Sequence, residues 1–227
     1  MSSILEIARR IQQRVPVPKV AAPFEAFCIG VDLAPDFAAL CVLERITITT
    51  EEMKERRTAF EPPAVISAKK KVHRLRCLQR LPSGYPLIID AISTLIACLP
   101  EAQLKPATAV NVTHVGKPVA VLMAKAGVGV VAITATKGDA EQRVAQGEFR
   151  VPEKDLIGTL SVLLQGDRFR VAPDLPEAAA LIAELGSFDA GGDDSWESHN
   201  LCRSVATAVW WCERMAPTPK IAFSMAR

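Results

Sequence analysis

Residues 27–33, FCIGVDL, decide the fold: a short apolar run with β-branched residues that ends in Gly30, Val31, Asp32 and Leu33. Its length and composition predict a buried strand, and that strand delivers a carboxylate, Asp32, near its far end. The next apolar segment, residues 36–46, predicts an antiparallel neighbour joined through a tight turn at Ala34 and Pro35. A carboxylate at the end of a central strand is costly unless something pairs with it, and a divalent cation is one common reason to place it there. The alternative open at this point is that Asp32 caps the turn through its own backbone, as aspartates often do.

Around this stretch the chain has 227 residues, enough to bury one sizeable core, so one domain with terminal extensions is expected. Hydrophobic residues make up 49% and charged residues 23%, proportions that argue against long disorder. The formal net charge of +2 creates no overall field demanding nucleic acid or membrane, so DNA affinity has to come from a local patch. The six cysteines, at 28, 41, 77, 98, 202 and 212, lie mostly in apolar runs and lack the close spacing of a zinc knuckle. Free, buried thiols in a reducing compartment are expected. No stretch reaches the ~20 apolar residues of a membrane span. Glu6, Arg9, Arg10 and Arg14 interrupt the N-terminus as they would not in a secretory leader. A cytoplasmic protein without membrane contact is the expectation.

Residues 3–14 place Ile4, Ile7, Ala8 and Ile11 at helical spacing, and a Pro-interrupted link, VPVPKVAAP, leads from them to the first strand. This gives an N-terminal helix and linker over 1–26, a main domain over 27–215 and a tail over 216–227. The helix docks on the core or on another subunit, which leaves self-association open. Residues 49–64 read as a charged, Pro-punctuated surface excursion. Lys69, Lys70 and Lys71 then precede HRLRCLQRL at 73–81. Alternation there predicts a third strand with Arg74, Arg76, Leu78 and Arg80 on the face opposite Leu75, Cys77 and Gln79. These six basic residues form the densest positive run in the chain. A solvated sheet face and a phosphate-contacting patch both remain open for it.

Pro86 opens a helix over 86–99, and ATAVNV at 107–112 is a buried strand that carries Asn111. A helix over 117–126, a strand over 129–135, a polar and mobile segment over 138–147 and a helix over 152–165 follow. A short strand over 168–171, a helix over 175–185 and a Gly-rich loop lead to a closing apolar helix over 199–215. The adjacent Trp210 and Trp211 on that helix cannot both face the core. Three meandering strands followed by alternating strands and helices predict an α/β fold, a ribonuclease H-like mixed β-sheet flanked by α-helices. No Gly-rich loop with Lys-Ser or Lys-Thr is present, so this stretch of chain contains no P-loop ATPase site.

Taken in order, five segments resemble the C-terminal nuclease domain of tailed-phage terminase large subunits, the DNA-packaging motor proteins. They are GVDLA at 30–34, NVTHVGKPV at 111–119, VPEKDLIGTL at 151–160, LLQGDRFRVAPDLPEAAALIAEL at 163–185 and ATAVWW at 206–211. The resemblance implies an acidic cluster holding two divalent metals, which activate a water and stabilise the leaving oxygen of a cleaved DNA strand. Asp32 matches the first acidic position. The second falls on Asn111, with His114 in place of a nearby glycine, and the paired aspartates of the closing helix fall on His199 and Asn200.

That exchange disfavours the parent chemistry. Mg²⁺ is held mainly by carboxylates, and amide oxygens bring no charge to offset the repulsion between two ions. Histidine favours a softer ion. The expectation is a nuclease that is lost or very weak, with no cofactor, or with Mg²⁺ or Mn²⁺ if activity survives. Asp193 and Asp194, together with Asp189 and Glu197 in the same loop, are the substitutes the sequence offers. Asp155 is a further one, although an early helical acid simply complements the helix dipole. Three functions stay open. One is a prophage-derived relic that binds double-stranded DNA or other phage packaging proteins without cutting. Another is an active metal-dependent endonuclease built on Asp32 with substituted ligands. The third is a structural subunit assembled through the N-terminal helix.

Overall fold

The computed structural model describes residues 24–34, 37–53, 65–82, 84–99, 106–113, 117–172, 174–187 and 199–215. The predicted N-terminal helix, the tail, His114, Asp189, Asp193, Asp194 and Glu197 lie outside these residues.

The opening strand, β1 (Phe24–Leu33), alternates as a strand buried on both faces must. Ile29, Val31 and Leu33 enter one core, while Cys28 enters the other, on the face it shares with Gly30 and Asp32. β1 pairs antiparallel with β2 (Phe37–Met53), which pairs antiparallel with β3 (Val65–Pro82). After the helix α1 (Tyr85–Cys98), β4 (Ala107–Asn111) returns parallel to β1. The helix α2 (Lys117–Lys125) then leads to β5 (Val130–Thr136), parallel to β4. A hairpin of β6 (Gln142–Ala145) and β7 (Glu148–Pro152) extends that edge. The helix α3 (Glu153–Gln165) then crosses to β8 (Phe169–Val171), which joins β3 at the opposite edge. Two helices, α4 (Ala178–Ser187) and α5 (Asn200–Arg214), complete the described chain.

The sheet order is β6-β7-β5-β4-β1-β2-β3-β8. Its central run, β3-β2-β1-β4-β5 with only β2 reversed, is the ribonuclease H-like arrangement expected from the order of elements. α1 and α2 cover the face built on Ile29, Val31 and Val110, while α3, α4 and α5 cover the other. No helix among the described residues is long and apolar enough to cross a membrane.

α5 is the centre of the second layer. Every residue from Asn200 to Trp210 is buried, so this helix is enclosed by protein around its circumference. It lies close against the sheet because β1 offers no side chain at Gly30. A Cβ there would sit 2.2 Å from the Ser204 carbonyl oxygen and 2.7 Å from Ala208 Cβ. Two strand thiols donate to the same helix backbone, Cys28 to the Ala208 carbonyl (3.5 Å) and Cys41 to the Ser204 carbonyl (3.4 Å). At the far end of α5 the buried Arg45 of β2 donates to the carbonyls of Cys212 and Met215, closing a helix terminus whose last carbonyls lack intrahelical partners.

Three expectations need correction. The polar segment over 138–147 contains β6 and leads into β7 through Gly147, whose φ of 73° is a turn conformation that glycine tolerates. β6 is exposed along its whole length, so no apolar alternation marks it. Residues 49–53 continue β2, paired with the start of β3, rather than leaving the sheet. The single basic face of the third strand does not form either. The β2–β3 register shifts between Val42 and Leu43, whose partners are Cys77 and Leu75, so Arg76 is an extra residue. The bulge turns both Leu75 and Leu78 into the α5-side core and sends Arg74 and Arg80 to opposite faces of the sheet.

Candidate metal centre

Asp32 and Asn111 stand side by side, partners in the parallel register at the carboxyl ends of β1 and β4. That edge is where open α/β sheets place their sites. Both side chains are fully buried. From the first turns of α5, Arg203 brings Nη2 to 3.0 Å from Asp32 Oδ1, with the two side chains 1% and 0% exposed. Burial outweighs the guanidinium and pushes the Asp32 carboxyl up to about 7, against the pull of Arg203 and Asn111 and with a further push from Glu184. Among the described residues neither Asp32 oxygen receives a well-aligned hydrogen bond, so Arg203 and Asn111 act on it as close donors at imperfect angles.

The amide oxygen beside Asp32 is committed elsewhere. Asn111 Oδ1 accepts from the Thr113 backbone N–H (3.1 Å) and from Thr113 Oγ1 (2.5 Å). Thr113 Oγ1 in turn accepts from the Ala135 N–H (2.8 Å), tying the ends of β4 and β5 together. The Asn111 amide group is thereby left to face Asp32 as a donor. His199 is the N-cap residue of α5, and its Nε2 lies 2.9 Å from Ser187 Oγ on α4. Asn200 is buried at the first turn of α5, and its Oδ1 has no hydrogen-bond partner among the described residues.

Glu184 of α4 is the second carboxylate near Asp32. Its Oε2 accepts the Cys202 N–H of α5 (2.8 Å) and its Oε1 accepts from Arg80 Nη2 (2.9 Å). Glu184 therefore caps the start of α5 from a neighbouring helix, the task that the α5 N-cap side chain itself does not perform. Asp155 lies in the first turn of α3, where an acid complements the helix dipole.

A divalent cation needs several oxygen acceptors and net negative charge. Among the described residues at this edge, the one unclaimed carboxylate faces a guanidinium, the neighbouring amide presents its NH₂ group, and Glu184 has both oxygens engaged. Among the described residues no three His, Cys, Asp or Glu side chains gather as a metal-binding group. The described residues as arranged do not fit a divalent metal. Of the sequence candidates, the structure joins Asp32 to Asn111, sets Asn200 on the buried side of α5 and gives His199 to Ser187.

The basic run is dispersed as well. Arg80 pairs with Glu177 and Glu184, each at 2.9 Å, and Arg74 and Arg76 approach Glu44 at 4.0 and 3.8 Å. Lys69, Lys70 and Lys71 are exposed, on the part of the β2–β3 ribbon that extends past the end of β1. Trp210 is buried and Trp211 half-buried, and both rings pack on Phe149 of β7, with centroids 5.5 and 5.6 Å away.

Arg203 was missed in the sequence, although a signal was present. It is the one charged residue within LCRSVATAVWWC, and a cation inside a buried apolar helix has to find a carboxylate. His73 is a second buried titratable group. Burial pushes its imidazole down to about 4 despite Glu213 Oε1 at 3.3 Å from Nε2, so at neutral pH a neutral ring meets that carboxylate.

A scan against protein-family models and a search of curated proteins find no match. Among solved structures the chain is similar to the large terminase nuclease from thermophilic phage G20c with bound zinc. The identity is 15%, over 81% of this chain and 80% of that one, with a TM-score of 0.49. At that level the likeness has no bearing on activity or metal use, and the fold assignment stands on the strand order above.

Proposed function

We propose that this chain is a terminase-nuclease-like protein that binds DNA without cutting it. The order of the five sequence segments and the ribonuclease H-like strand order support the ancestry. The observation that carries the loss of cutting is the buried Asp32–Arg203 pair, with Nη2 and Oδ1 3.0 Å apart. Two-metal cleavage needs clustered negative charge. Here the first acidic position is already neutralised by protein, the second is an amide with its oxygen engaged, and His199 contacts α4. Lys69, Lys70 and Lys71 are the exposed cations that would meet a phosphate backbone, a ligand that requires charge rather than base-reading geometry.

The test pairs calorimetric titration with Mn²⁺ and Mg²⁺ with plasmid nicking, on wild type and Asp32→Ala, and adds DNA affinity measured against salt. The expected result is no cation binding at Asp32, no nicking and a salt-dependent affinity for double-stranded DNA. Metal binding and nicking that both vanish in Asp32→Ala would establish the active endonuclease instead. An absence of DNA affinity would point to a protein partner.

A further inference from the structure

We infer that Arg203 supplies from within the chain the positive charge a divalent cation would supply at the end of β1, and that removing its guanidinium leaves the two Asp32 oxygens open to a cation from solution. This rests on the reading that the native site holds no metal. A carboxylate buried at a strand end must be neutralised by a cation, a proton or a basic side chain. Here α5 provides the last of these. Arg203 follows Asn200 by three residues and His199 by four, so the same helix end that holds the two substituted acidic positions projects a guanidinium one turn later.

The acceptors that Arg203 would leave behind are hard and unsatisfied. Among the described residues Asp32 Oδ1 and Oδ2 receive no aligned hydrogen bond, so loss of the guanidinium leaves two buried carboxylate oxygens without their 3.0 Å cationic neighbour. Oxygen ligands of this kind suit Mg²⁺ or Mn²⁺. The guanidinium excludes such an ion in two ways. It occupies the space beside Oδ1, and its charge repels a second cation at a depth where water does not screen it. Glu184 does not contribute a ligand, because both of its oxygens are held by Arg80 and the start of α5. The protein therefore closes its core with a basic side chain of its own and depends on no dissolved cation.

Thermal unfolding of wild type, Arg203→Ala and Asp32→Asn/Arg203→Ala, each with and without Mn²⁺, Mg²⁺ or low-millimolar guanidinium, tests this. Wild type is expected to ignore all three ions. Breaking a buried pair from one side lowers the midpoint of Arg203→Ala by roughly 6–20 °C. An ion at 100 times its dissociation constant returns roughly 5–11 °C of that loss. The double variant is expected not to respond. An Arg203→Ala protein that folds and ignores Mn²⁺, Mg²⁺ and guanidinium overturns the inference alone, leaving the non-cutting role intact. A wild type stabilised by Mn²⁺ in an Asp32-dependent way overturns that role itself.

If Arg203→Ala does not fold, Arg203→Met and Asp32→Asn/Arg203→Met decide. The inference requires the double variant to melt well above the single one, because both charges have been removed together. Equal losses in the two overturn it.

Discussion

Replacing Gly30 by alanine is the smallest change with a large expected consequence. A strand interior ordinarily prefers alanine to glycine, so backbone propensity alone predicts a gain. The packing predicts the opposite. The new methyl would lie 2.2 Å from the Ser204 carbonyl oxygen, 2.7 Å from Ala208 Cβ and 2.8 Å from Cys41 Sγ. Restoring ordinary contact requires α5 to retreat by about 1 Å, in an interior packed too tightly to absorb it. Overpacking typically costs about 1–3 kcal/mol. The upper end applies because the nearest obstacle is backbone, which no change of side-chain rotamer removes. For a chain of this size about 3 kcal/mol lowers the thermal midpoint by roughly 6–12 °C. The retreat also weakens the thiol bonds from Cys28 and Cys41 and draws Arg203 away from Asp32. Urea and thermal unfolding followed by tryptophan fluorescence, with Trp210 on α5 as reporter, measure the effect. Ala208→Gly in the same chain is expected to restore only part of the loss, since the Ser204 carbonyl is still in the way. A Gly30→Ala protein melting within about 2 °C of wild type would refute the close approach of α5 to β1.

Replacing Lys69, Lys70 and Lys71 together by glutamine is expected to weaken DNA binding and to reduce the salt slope by up to about 2.7, the value for three phosphate contacts. Arg80→Met is expected to leave that slope unchanged while lowering stability by about 1 kcal/mol in urea, because its partners Glu177 and Glu184 are intramolecular and the pairs only partly buried. A slope that falls with Arg80→Met would return Arg80 to the DNA-binding surface. Acid titration of stability separates the two buried titratable groups by sign. His73, held at about 4, contributes stability that is present above pH 6.5 and lost as pH falls through 4. Asp32, raised to about 7, contributes stability that is present below pH 3.8 and lost as pH rises through 7. On acidification from pH 7 to 4, His73→Gln therefore gains relative to wild type and Asp32→Asn loses. Curves parallel to wild type would contradict both assignments.

The elements with a strong apolar period were legible. The run FCIGVDL, the helix opened by Pro86 and the closing helix before Met215 each carry a pattern that follows from burial of one or both faces. The β6–β7 hairpin was not, because β6 buries nothing and its identity comes only from backbone pairing to β7. The bulge at Arg76 was invisible for a related reason. Alternation assigns faces only while the register is regular, and one extra residue reverses every assignment beyond it. The lysines and arginines of 69–80 thus read as one patch, while the fold leaves Lys69–Lys71 exposed and engages Arg74, Arg76 and Arg80 with carboxylates.

By itself the sequence determined the order of strands and helices apart from the β6–β7 hairpin, the burial of the closing helix and the placement of a carboxylate at the end of the first strand. Each of these is set by local composition and period. The partners of that carboxylate were decided only by the tertiary structure. Arg203 lies 171 positions from Asp32, and Glu184 reaches the start of α5 from another helix. A charge's neighbours in space depend on how the sheet and α5 pack. A close approach at Gly30 brings a guanidinium, rather than an acid, to the position where the sequence pattern expected a metal ligand.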